Sequence, residues 1–220
     1  MPSISSNSLI VITGITGYIA SHVVLLALRD GHRIRGTIRP TSLNKVDDLR
    51  AALIAQGLDR SVVAKNLEIF PVEDADLFSS FPDVWNRLFQ GADGVEHIAF
   101  PIDGNFTHET IEKAVNATDV LLKVAAQIPT IKRFVITSTS MAAFMAPAYR
   151  DEIVTVDDWN EDAIKVSYKG DDITKYPILE KSGPFVPYAA AKALIEQTAR
   201  KFVEKEKLRR FLSFNFGTLD

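Results

Sequence analysis

The sequence has no cysteine among its 220 residues. Disulfide staples and thiolate-ligated metal centres are therefore excluded, and a reducing compartment fits. It has no basic block, and its net charge is only −3. Nothing in that balance is suited to nucleic acid or to an anionic membrane surface. No apolar run approaches the roughly 18–20 residues of a membrane span. The opening MPSISSNS carries neither a basic region nor a long apolar one, so no secretory signal is read there. His22, His32, His97 and His108 lack metal-ligand spacing, and no metal site is expected. Asp93, Asp103 and Asp151 show no paired-carboxylate pattern. With 46% hydrophobic residues the chain can bury one sizeable core. The expectation is a soluble cytoplasmic protein with residues 1–220 in one domain.

What is present is alternation. Short apolar runs at 8–13, 32–38, 66–72, 94–100, 131–139 and 209–216 read as strands. Between them, 17–30, 43–56, 82–90, 107–127 and 187–207 read as helices, several followed directly by glycine. His97 falls in the fourth strand and is expected to be a packed structural residue. The phenylalanines at 78, 81, 89, 211, 214 and 216 are expected in the core. Residues 145–186 are rich in Pro, Gly and Asp and read as long loops with short helical turns. Strand–helix alternation implies βαβ units and a parallel sheet covered on both faces. The predicted class is α/β, a Rossmann-type doubly wound parallel sheet of order 3-2-1-4-5-6.

The stretch TGITGYIA at 13–20 lies between the first strand and the first helix. A glycine at Gly14 permits a tight turn. Another at Gly17 lets backbone approach a pyrophosphate, and a small Ala20 lets helix and strand pack closely. An acid after the second strand would bind a ribose 2′-hydroxyl, but Arg39 stands there, with Lys45 on the next turn. A carboxylate would repel a 2′-phosphate, whereas a guanidinium can fork two hydrogen bonds to it. The pattern favours NADP over NAD.

Tyr188 and Lys192 form YAAAK. At i and i+4 they share a helix face. An ammonium near a phenol is expected to lower the phenol's pKa. Such a tyrosine can give a proton to a carbonyl oxygen as hydride reaches its carbon. A hydroxyl from Thr137-Ser138-Thr139-Ser140, at the end of the fifth strand, could stabilise charge on that oxygen. Spacing alone does not choose among the four.

Together, TGITGYIASH (13–22), RGTIRP (35–40), VED (72–74), HIAFP (97–101), KRFVITSTS (132–140) and YAAAK (188–192) resemble the extended branch of the short-chain dehydrogenase/reductase family. The likeness is to its dihydroflavonol reductase-like and fungal ketone/aldehyde reductase group. The resemblance implies catalytic roles for Thr139, Tyr188 and Lys192. It implies cofactor contacts from Thr13, Gly14, Thr16, Gly17, Tyr18, Ile19, Arg39, Lys45, Asp74, Ala75, Ala99 and Phe100, and also from Tyr188 and Lys192. It suggests Asn116 for a proton relay. Family members continue for about a hundred further residues into a substrate lobe, which is expected to be largely absent here. They also commonly carry Pro-Gly where this chain reads Phe216-Gly217.

The expected activity is NADPH-dependent reduction of a small or medium ketone or aldehyde to an alcohol. The alternatives are a non-catalytic NADP-binding short homologue, acting as sensor or partner subunit, and a nucleotide-sugar epimerase or dehydratase. A homodimer through the two late helices is compatible with such folds.

Overall fold

The computed structural model describes residues 4–73, 82–100, 107–145 and 153–207, together with the backbone of 212–216. Its six strands are β1 (Leu9–Ile12), β2 (Arg33–Ile38), β3 (Leu67–Pro71), β4 (Gly94–His97), β5 (Arg133–Ser138) and β6 (Leu212–Phe216). They form one sheet in the order β3-β2-β1-β4-β5-β6. Every pairing is parallel. The order is the expected one. It reverses direction at β1, which lies between β2 and β4, and so opens a crevice at the carboxyl ends of the central strands.

Alternation along β1 assigns the two faces. Val11, in register with Val95, joins Phe134 and Ile136 on one side. They pack there with α4 (Asp83–Phe89), α5 (His108–Ala126) and α8 (Phe185–Lys205), through Trp85, Phe89, Leu121, Leu122 and Ile195. Ile10, Ile12 and Ile34 face the other way. They meet α1 (Tyr18–Arg29), α2 (Lys45–Ala55) and α3 (Arg60–Asn66), through Val24, Leu28, Leu53 and Val63. Apolar residues on both faces are what make the central strands read as continuous hydrophobic runs.

Two differences from the sequence reading have local causes, and the short helical turns expected within 145–186 are present as two brief helices. Helix α3 was not expected. Asp59 caps it by accepting from Ser61 N, which gives a short polar segment a defined start. The 145–186 stretch contains α6 (Glu161–Ser167) and α7 (Pro177–Ser182). Ala163, Ile164 and Leu179 of these helices pack against Ala189, Ala190 and Ala193 of α8 in a third apolar cluster. The strand read as 94–100 ends at His97, because the next two amides turn toward β1, as described below. Of the six phenylalanines, Phe89 is buried in the core, and the side chains of the other five lie outside the described residues.

Candidate active site

The glycine turn is held from both neighbouring strands. Gly14 adopts φ +71°, and a Cβ on it would come within 3.2 Å of Ala99 Cβ. Its amide donates to Thr37 Oγ1 at 2.9 Å. Ile15 N donates to Thr37 O at 3.1 Å, and Gly17 N to Gly14 O at 2.9 Å. Ile15 is fully buried over Gly36, where a Cβ would stand 2.4 Å from Ile15 Cγ2. Helix α1 then starts with Gly17 as an uncapped N-cap and no acid in its first turn. Its first amides therefore have no intrahelical acceptor. Tyr18 and Ile19 stand beside them, 76% and 44% exposed. Thr16 is partly buried and Ala20 is buried.

Thr13 plays a different part from its neighbours. It is fully buried. Its hydroxyl accepts from Ile98 N and Ala99 N, both at 2.9 Å, and lies 3.2 Å from His97 Nδ1. With both amides donating, the hydroxyl proton is left for Nδ1, which makes His97 an acceptor there. Burial holds His97 neutral, with its pKa pulled down to about 3. His97 is thus the packed structural residue expected, and Thr13 fixes the path of Ile98–Phe100 out of β4.

Arg39 follows β2 directly and is exposed, as is Lys45 at the start of α2. Both therefore sit at the same sheet edge as the glycine turn. Asp74 and Ala75 lie outside the described residues.

Across the crevice, Thr139 leaves β5 and caps the short turn Ser140–Ala142 by accepting from Met141 N at 3.3 Å. Its side chain also hydrogen-bonds the Tyr188 hydroxyl. Phe100 stands edge-on to Tyr188, with ring centroids 5.5 Å apart. Lys192 is buried, with its Nζ 4.3 Å from the Phe100 ring centroid. It donates to Thr137 O at 2.8 Å. The fold therefore gathers Thr139, Tyr188, Lys192 and Phe100 in one place. Asn116 lies on the exposed side of α5.

The electrostatics differ from the simple expectation for YAAAK. Burial pushes the Tyr188 phenol up, opposed by the Thr139 hydrogen bond; Lys192 is not what sets it. The ammonium is instead directed at a backbone carbonyl, and lies 6.0 Å from the Tyr188 ring centroid. Burial pulls Lys192 itself down to about 8, opposed by the charge of Glu196. A phenol kept protonated is suited to donating a proton to an oxygen that is gaining charge.

Sequence reasoning gave no role to Gly36, Thr37 or Glu196, and it left Ser138 as one of four candidate hydroxyls. Glu196 did carry a local signal, being one further turn along the face that holds Tyr188 and Lys192. Among the described residues no group of three or more His, Asp or Glu could hold a metal ion. No helix among them is long and apolar enough to cross a membrane.

Residues 10–217 match the model of the NAD dependent epimerase/dehydratase family. Among curated proteins, the chain is 30% identical over 202 residues to the NAD-dependent epimerase/dehydratase terH of Aspergillus terreus, covering 91% of this chain and 54% of that protein. It is 32% identical over 204 residues to aldehyde reductase 2 of Sporidiobolus salmonicolor, again covering 91% and 54%. Among solved structures, Gre2 of Candida albicans in complex with NADPH superposes with a TM-score of 0.67 at 26% identity, over 94% of this chain and 56% of that one. Vestitone reductase from alfalfa shares the fold, with a TM-score of 0.66 at 21% identity over 95% and 56%. The chain spans about half the length of the curated relatives it matches.

Proposed function

This chain belongs to the NAD dependent epimerase/dehydratase family, and on that premise we propose that it binds NADPH and reduces a ketone or aldehyde to an alcohol. The observation that carries the reading is the Thr139–Tyr188 hydroxyl pair, backed by Lys192 and set across the crevice from the glycine turn. The residues fit a phosphorylated dinucleotide. The space a Cβ would fill at Gly14 is bounded by Ala99. The first turn of α1 offers uncapped amides and no acid. Exposed Arg39 and Lys45 follow β2 where an acid would repel a 2′-phosphate. The Gre2 relative was crystallised with NADPH.

When bound, NADPH supplies the hydride that adds to the carbonyl carbon. The chain's own residues do the rest. Gly14, Gly17 and the α1 amides hold the pyrophosphate, and Arg39 and Lys45 hold the 2′-phosphate. Tyr188 donates its phenolic proton to the carbonyl oxygen, and the Thr139 hydroxyl hydrogen-bonds that oxygen and the phenol. Lys192, one ammonium proton of which goes to Thr137 O, would offer the others to the cofactor ribose, and the Thr139 hydroxyl favours the phenolate left behind. Phe100 walls the site and excludes water. Reduction is preferred over epimerisation because Arg39 replaces the acid, and because Ser140-Met141 rather than an Asp-Glu pair follows Thr139.

Tyr188→Phe tests the assignment. NADPH oxidation with a panel of small aldehydes and ketones should be lost, while NADPH affinity stays within about threefold. Unchanged turnover would remove Tyr188 from the chemistry. Cofactor binding by the parent chain without turnover of any carbonyl would favour the non-catalytic alternative.

A further inference from the structure

Helix α8 carries a second buried charge. Glu196, one turn beyond Lys192, is only 6% exposed, and Lys192 is 4% exposed. Ser138 Oγ, from the last residue of β5, donates to Glu196 Oε1. The Trp159 side chain also hydrogen-bonds this carboxylate. The next residue along the chain from Ser138 is Thr139, the hydrogen-bond partner of Tyr188. The preceding residue is Thr137, whose carbonyl accepts from Lys192. Three consecutive residues, the last two of β5 and the one that follows, are thus matched to three successive turns of α8: Thr139 to Tyr188, Thr137 to Lys192 and Ser138 to Glu196.

We propose that Glu196 is a positioning residue of this site, its carboxylate tethering α8 to the end of β5 through Ser138 and standing as the fixed counter-charge to Lys192. The proposal rests on the reading of Lys192 and Tyr188 given above. A buried ammonium without a counter-charge tends to lose its proton. A lysine that is to donate to a ribose must keep it. The tether does the geometric half of the work, since a helix free to slide along β5 would separate Tyr188 from Thr139.

Other groups near the pair are accounted for. On α8, Arg200 faces Glu196 and pairs with Asp157, while Tyr188 lies on the other side of Lys192. From β4, His97 is kept neutral by burial, helped by the charge of Lys192. The buried residues of α5 are all uncharged, and its ionisable groups meet on the surface, Glu109 with Lys113, Glu112 with His108 and Asp119 with Lys123. On α6, Glu161 accepts from Gln197, and Asp162 pairs with Lys165.

The test needs neither cofactor nor substrate, so its failure is separable from failure of the reductase reading. Lys192 is followed by ε-carbon NMR of 13C-lysine-labelled chain, its signal assigned as the one missing in Lys192→Met. Glu196→Gln keeps the shape and the hydrogen bond from Ser138 but removes the charge. The midpoint of the Lys192 titration should fall by about one pH unit. An unchanged midpoint would overturn the proposal. Loss of a fixed structural contact alone would not move it. If Glu196→Gln does not fold, the unmodified chain still decides. The Lys192 signal should then show a second, acid step as Glu196 takes up its proton, and a single-step curve would overturn the proposal.

Discussion

Replacing Gly36 by alanine places a methyl where the structure has none to spare. The new Cβ would lie 2.4 Å from Ile15 Cγ2 and 2.6 Å from Ile15 Cδ1. Carbon atoms at rest sit about 3.5–4.0 Å apart, so the overlap is on the order of 1 Å. Ile15 is fully buried and cannot swing into solvent. Overpacking of this kind costs ~1–3 kcal/mol. Losing a glycine's freedom in the unfolded chain returns about 0.5–1 kcal/mol. The net expectation is a loss of ~1–2 kcal/mol, a fall in Tm of about 2–8 °C for a chain of this size. Ile15 also lies between Gly14 and Gly17, so NADPH affinity should fall with it. The assay is a double-mutant cycle by chemical denaturation. In an Ile15→Ala background Cγ2, Cδ1 and Cγ1, the last at 3.1 Å, are all gone, and Gly36→Ala should become neutral or slightly stabilising. The same cost in both backgrounds, or no cost in either, would refute the packing argument.

Other outcomes follow from the same geometry. Thr13→Val removes the acceptor of two amides, Ile98 N and Ala99 N. The loss should be ~2 kcal/mol, about 4–8 °C in Tm, together with faster amide exchange at Ile98–Phe100. Glu96 has its carboxyl pushed up by burial from 4.5 to about 7. The folded state therefore binds more protons than the unfolded state between those values, and Glu96 lowers stability as pH rises through that window. Glu96→Gln should then be more stable than the parent by ~2–3 kcal/mol at pH 8, with the gap closing by about pH 4.5. His97, held down at about 3, has the opposite slope below about pH 6.5, because there the unfolded state binds more protons. The two denaturation curves must therefore be subtracted, since the parent's curve alone mixes both groups. A pH-independent gap would show that Glu96 is not buried as described.

Local patterns are legible where the cause is local. Gly14, Gly17 and Ala20 announce the turn because their spacing is the structure, and the strand order follows from alternation plus short right-handed connections. Tyr188 and Lys192 are visible because i and i+4 share a helix face. The features that complete the site are contacts between distant segments. Ser138 meets Glu196 across 58 residues, and Thr13 meets Ala99 across 86. No spacing rule reports them. The same holds for α6 and α7, whose weak periodicity hides that their apolar residues are packed against the small alanines of α8. The protonation of Tyr188 was misjudged for a related reason. Sequence places a lysine nearby but does not show that its Nζ is held by Thr137 O.

The most direct test is a binding titration of this chain with NADPH and, in parallel, with NADH, followed by fluorescence. Tight binding of NADPH and at least tenfold weaker binding of NADH are expected. Arg39→Asp should reduce or reverse that preference. Binding of neither dinucleotide, or a preference for NADH in the parent chain, would contradict the NADPH reading.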